Sequence, residues 1–143
     1  MASLSKSELM RGVLPYLAIK DAADAISFYK VAFGAEMIGE PYADEQGKIM
    51  NASLAINDGT IMLMDNNEAY GIASAKGDRS MTLQLVVDDG TAWWNRALEA
   101  GCEVSQEYKL EFWGDYYGRI RDPFGLEWAI LEPGEEHRAQ AAE

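Results

Sequence analysis

The chain has 143 residues, 48% of them apolar, with 24 acidic against 12 basic side chains for a formal charge of −12, and one cysteine. That length fits a single domain with an ordinary core; no apolar run approaches the ~20 residues of a bilayer span, and a lone thiol excludes an intrachain disulfide. The charge repels phosphate backbones and anionic lipid, which argues against nucleic acid and membrane as partners; without a spanning run or a signal-peptide core, a cytoplasmic location is expected.

The leader, residues 1–11, holds scattered apolar residues and no signal-peptide core. Residues 13–19 form a β-rich run. From Asp21 onward Ala22, Ala25, Ile26, Tyr29 and Phe33 recur at three- and four-residue spacing, which predicts a helix stopped by Gly34. Two strands with a turn at 44–47 are expected between 36 and 57, then a hairpin turn at Asn57, Asp58 and Gly59 and a strand over 60–65. Residues 66–79 are polar, carry Gly71 and Gly77, and read as a linker. The order then recurs: a strand over 80–87, a helix over 89–100 closed by Gly101, and strands near 102–110, 116–121 and 126–132, the last two joined by a turn at 122–125. The tail, 134–143, is charged and Ala-rich, and is expected to fray or to form a short helix.

The chain therefore reads βαβββ twice. Shifted by 67 residues, Ala18 falls on Leu85, Asp21 on Asp88, Gly34 on Gly101, Gly47 on Gly114 and Asp65 on Glu132. Asp21 and Asp88 are expected to cap the two helices. Each copy, 12–65 and 80–133, is short for an independent domain, so the two are expected to build one α+β domain with its function at the seam.

Strand alternation assigns the faces. Met50, Ala52, Leu54 and Ile56 should lie under the first helix, with Ile49, Asn51, Ser53 and Ala55 opposite. In the second copy Leu83, Leu85, Val87, Trp128 and Ile130 should lie under the helix. Thr82, Gln84, Val86, Glu127, Ala129 and Leu131 face the other way, and Tyr117, Arg119 and Arg121 share their side.

The tandem repeat, together with PYL at 15–17, AISFY at 25–29, AFGAE at 32–36 and above all FWGDYYGRIRDPFG at 112–125, resembles the vicinal oxygen chelate superfamily. That superfamily includes glyoxalase I, bleomycin-resistance proteins and extradiol dioxygenases; the specific likeness is to its PhnB-like branch. The resemblance covers residues 12–133. It implies an eight-stranded open cup with helices on the outer face. In such proteins the cup usually holds one divalent metal, with ligands from the first and last strands of each module. Those positions fall here on Leu14, Met62, Thr82 and Ala129. None suits a catalytic metal, which wants His, carboxylate or Gln. Where PhnB-like sequences often carry His, this chain has Asn51, Gln84 and Glu127. Its one histidine, His137, lies in the polar tail, which gives the core neither a His-rich metal site nor a His general base.

Several residues have two readings. Phe112, Trp113, Tyr116 and Tyr117 form either an aromatic rim that stacks a ligand or a loop folded on the sheet edge. Of Trp93 and Trp94, about 100° apart on a helix, one should face the sheet. Arg119 and Arg121 form cross-strand ion pairs with Glu127 or clamp an anion. Met62 and Met64 suit an adaptable apolar floor. Cys102 is expected to be a buried apolar side chain and Trp128 core.

The leading expectation is a metal-independent protein that binds a small organic ligand, a cationic or aromatic compound being one version, and forms a homodimer. Its ligand-binding residues would be Asn51, Met62, Gln84, Phe112, Trp113, Tyr117, Arg119 and Glu127. No catalytic residue, metal or other cofactor is assigned. The competing readings are a lyase, isomerase or dioxygenase whose metal uses non-standard ligands, and a scaffold acting through protein contacts.

Overall fold

The computed structural model describes residues 4–70 and 81–141. The chain divides into two compact units, Met1–Asp78 and Arg79–Glu143, and each follows the βαβββ order. Within the leader, α1 (Lys6–Leu9) is a single turn closed by a capping box: the Ser5 hydroxyl accepts from the Glu8 N–H and the Glu8 carboxylate accepts from the Ser5 N–H. β1 (Tyr16–Ile19) leads into α2 (Ala22–Phe33), which buries Ala22, Ala25, Ile26, Tyr29, Ala32 and Phe33. Asp21 caps its start, and Gly34 ends it at φ 65°, a left-handed geometry that glycine adopts without penalty.

The strand expected before the 44–47 turn is two short pieces, β2 (Glu36–Met37) and β3 (Tyr42–Ala43). Between them Gly39 takes φ 75° and Pro41 has no N–H to give a ladder, so pairing is interrupted. β4 (Ile49–Ile56) and β5 (Gly59–Asp65) are joined through Asn57 and Asp58, both at positive φ as a tight hairpin turn requires. The sheet order is β1-β5-β4-β2 with β3 also on β4, and β1 runs parallel to β5. Of the expected linker, Glu68–Tyr70 forms a 3-10 turn, and 71–79 lies outside the described residues.

In the second unit β6 (Leu83–Val86), α3 (Gly90–Ala100), β7 (Glu103–Leu110), β8 (Tyr116–Arg121) and β9 (Glu127–Glu132) give the order β6-β9-β8-β7, with β6 parallel to β9. Position 80, the expected start of its first strand, lies outside the described residues, and Met81 and Thr82 precede the paired segment. The helix cap is Asp89, whose carboxylate accepts from the Ala92 N–H at 3.1 Å, not Asp88 as the 67-residue shift implied. The physical offset is 68 up to the helix start, so that Leu17 and Ile19 are buried where Leu85 and Val87 are. α3 is 11 residues to the 12 of α2, which restores 67 at the closing glycines.

The same device ties both helices to their sheets. Asp65 Oδ1 accepts from the Ala22 N–H at 2.8 Å, and Glu132 Oε1 from the Gly90 N–H at 2.9 Å. These carboxylates satisfy a first-turn donor and complement the helix dipole. Trp94 is the buried member of its pair, stacked on Tyr108 with ring centroids 5.5 Å apart. Gly118 makes room for both: a Cβ there would sit 2.7 Å from Trp94 Cζ3 and from Tyr108 Cα. Trp128 is buried and donates from Nε1 to Asp122 Oδ2 at 2.8 Å. Asp122 Oδ1 accepts from the Phe124 and Leu126 N–H groups, which fixes the 122–125 turn. Cys102 is buried, and burial, with Asp122 second, pushes its thiol up to about 12, so it is a packing residue. The tail forms α4 (Glu135–Ala141).

Candidate functional site

β8 and β9 sort their side chains as alternation requires. Gly118, Ile120, Trp128 and Ile130 are buried on the helix side. Tyr117, Arg119 and Arg121 share the opposite face with Glu127, Ala129 and Leu131. Across the sheet, Gln84, Ala129, Arg119 and Gln106 stand in one register row, and Val86, Leu131, Tyr117 and Lys109 in the next. Gln106 and Lys109 join these rows through register shifts in β7 on either side of Gln106. Those bulges break strict alternation, and for that reason the sequence did not single out Gln106.

The two arginines have different fates. Arg121 Nη2 lies 3.5 Å from Glu127 Oε1, an ion pair exposed on its arginine side. Glu127 also accepts from the Ser105 hydroxyl on both oxygens, at 2.6 and 3.0 Å. The expected cross-strand pair thus belongs to Arg121. Arg119 donates from Nη2 to Thr82 Oγ1 at 3.0 Å, while its Nε is buried and has no hydrogen-bond partner among the described residues. A buried donor left unmade costs about 1–3 kcal/mol, more when charged.

At the end of β8 the aromatic segment folds on itself. Trp113 meets Tyr117 edge to face with centroids 5.7 Å apart, and Phe112 meets Trp113 the same way at 5.1 Å. Phe112 is 96% exposed and Trp113 40%, so both retain apolar surface in water. Gly114 takes φ 98° to turn the loop, and Glu111 and Asp115 close it through their backbones at 2.8 Å.

Asp115 anchors this segment from beneath. It is 7% exposed, and its Oδ1 accepts from the Gly134 N–H at 2.9 Å and pairs with His137 Nδ1 at 2.5 Å. The Gly134 N–H, then His137, hold the Asp115 carboxyl below the ordinary range, and Asp115 raises His137. His137 is therefore held on α4 against the aromatic segment. The tail's composition gave no sign of this, because the pairing spans 22 residues of chain.

In the first unit Tyr16, Met62 and Ser53 stand in one row, with Met62 half-buried. Asn51 is exposed opposite Tyr42, and the Tyr16 hydroxyl donates to the Met50 carbonyl at 2.8 Å. Of the residues singled out by sequence, Gln84, Arg119, Tyr117 and Glu127 are brought onto one sheet face with Trp113 against it and Phe112 at its margin. Asn51 and Met62 belong to the other unit.

The residues present do not fit the divalent metal that the resemblance implies. Ala129 offers a methyl group at 0% exposure, and the Thr82 hydroxyl already accepts from a guanidinium. Among the described residues no three His, Cys, Asp or Glu side chains are grouped to hold a metal ion. Nor is any helix among them long and apolar enough to cross a membrane.

Comparison with known proteins agrees with this architecture. An uncharacterized protein of Mycobacterium bovis is 37% identical over 129 residues, covering 85% of this chain and 83% of its own. The structure of an Arabidopsis thaliana gene product superposes with a TM-score of 0.68 at 25% identity, over 86% of this chain and 99% of that one. A Bacillus cereus structure described as a putative 3-demethylubiquinone-9 3-methyltransferase, PhnB protein, superposes with a TM-score of 0.66 at 16% identity, over 85% and 99%, a likeness of fold. The family profile described as Glyoxalase/Bleomycin resistance protein/Dioxygenase superfamily matches residues 12–130, and the chain belongs to that superfamily.

Proposed function

We propose that this protein binds a small organic molecule without the divalent metal usual in its superfamily, and does so as a homodimer, an assembly that members often adopt. The observation that carries this reading is the state of the second module's two metal-ligand positions. Ala129 has no donor atom, and Thr82 is occupied by Arg119. A Lewis acid could not be held there by these side chains. What the face offers instead is a mixed lining of amide, hydroxyl, guanidinium and aromatic groups, the composition of a ligand site.

The test is elemental analysis of untagged protein purified without chelator, alongside titration with small organic ligands followed by tryptophan fluorescence. The expected result is less than one tenth of an equivalent of any divalent metal, with saturable quenching by an organic ligand and no effect of added metal on its affinity. A stoichiometric, tightly held divalent ion would overturn this reading and favour a metalloenzyme with other ligands.

A further inference from the structure

We propose that Arg119 anchors an oxyanion site on the helix-free face of the second sheet, one that takes the carboxylate or phosphate end of a ligand whose ring lies along Tyr117 and Trp113. This names the ligand class for the small-molecule function proposed above and rests on it.

The guanidinium's donors are only partly spent. Guanidinium carries its N–H groups in a rigid planar fork that matches an oxyanion with two parallel bonds. Thr82 uses one donor of Nη2, and the Nε–H has no partner among the described residues. The Thr82 hydroxyl accepts from Arg119 and keeps a proton of its own to donate. Gln84 and Gln106 stand in register on the two sides of the Ala129–Arg119 pair. Beside Arg119, Ala129 contributes only a methyl to the row.

The neighbouring carboxylates are committed elsewhere. Glu127 is neutralised by Arg121 and receives both bonds from Ser105. Glu111 accepts weakly from Gln106 Nε2 at 3.5 Å. Among the described residues Arg119 is thus a cation without a carboxylate partner, despite a chain charge of −12. The overall charge would favour a cationic ligand approaching from afar, but the group waiting on this face is a cation with a buried, unmade hydrogen bond. An oxyanion arriving on this face would pair with the guanidinium charge, which no described carboxylate neutralises.

The ring position follows from strand geometry. Tyr117 and Arg119 are alternate residues on one face, which separates them by about 6–7 Å. Trp113 stands edge-on to Tyr117 and is 40% exposed. A ligand with one or two bonds between its oxyanion and its ring spans that distance.

The experiment is calorimetric titration of the full chain with four probes of similar shape: phenylacetate, phenyl phosphate, phenylacetamide and phenethylammonium. Binding by one or both anions, with the amide and the ammonium weaker by about tenfold or more, is the expected result. In Arg119→Gln the anion preference should vanish. In Arg119→Lys, which keeps the charge and loses the planar fork, part of it should return. Arg96→Gln, an equal charge change on α3, should leave it unaltered, and circular dichroism should report the same fold for all variants. If the amide or the ammonium binds as tightly as the anions, or if Arg119→Gln keeps the preference, the oxyanion site is wrong while small-molecule binding stands. If none of the four binds at millimolar concentration, the oxyanion site falls, and the broader ligand titration described above decides small-molecule binding.

Discussion

Asp115 and His137 set a pH window for the aromatic segment. The carboxyl is lowered from 3.8 by the Gly134 N–H and His137, so its contribution is present above that value and is lost as pH falls through the lowered one. The imidazole is raised from 6.5 by Asp115, so its contribution is complete below 6.5 and is lost as pH rises through the raised value. The pair is fully engaged between those limits. His137→Gln should therefore melt below wild type at pH 5.5, and the two should converge as pH rises above the raised value of His137. A constant gap at every pH would show that His137 acts there as a neutral hydrogen-bond partner. At this scale the sequence was informative only where partners are near in the chain. The Asp122 turn could be read from residues 122–125, and Arg121 with Glu127 from the hairpin. Asp115 with His137 and Arg119 with Thr82 could not, since they join separate elements.

Among elements, the approach of α3 to its sheet depends on a missing side chain. A Cβ on Gly118 would meet Trp94 and the Tyr108 backbone at 2.7 Å, below any contact that real atoms tolerate, and backbone cannot swing aside as a side-chain tip can. Gly118→Ala should cost about 1–3 kcal/mol by overpacking, read as a lower urea midpoint with little change in slope. Unchanged stability would mean that α3 lifts off the sheet at no cost. Gly134 makes a similar approach to the Gly114 carbonyl, which lets α4 reach Asp115. Helix periodicity and strand alternation placed α2, β8 and β9 and the helix-side residues buried in them, because burial on one side imposes a period; in β4 both faces are partly covered, with Ile49 and Ser53 buried opposite Ala52, Leu54 and Ile56. They did not place the break between β2 and β3 or the bulges in β7, where glycine, proline and irregular pairing interrupt that period. The shift between copies was off by one residue at the first strand and at the helix cap for a related reason: the length difference lies inside a helix, where no turn marks it.

For the whole molecule, 24 acidic side chains against 12 basic ones make self-repulsion a standing cost of the folded state. Raising sodium chloride from 0.01 to 0.15 M shortens the screening length from about 30 to 8 Å. The melting temperature should rise, by about 2–4 °C for each kcal/mol of repulsion removed in a chain near this size. A fall would mean that paired charges such as Arg121 with Glu127 outweigh the net repulsion.

The βαβββ repeat and the superfamily were legible in the residues alone. Those are matters of residue identity and local period, and both are written in the chain. Tertiary structure decided which of two equivalent arginines is spent. Arg121 and Arg119 lie on one strand face two residues apart, alike in chemistry. Register brings Glu127 opposite the first and Ala129 opposite the second, so one charge is neutralised and the other is left with a buried donor to satisfy.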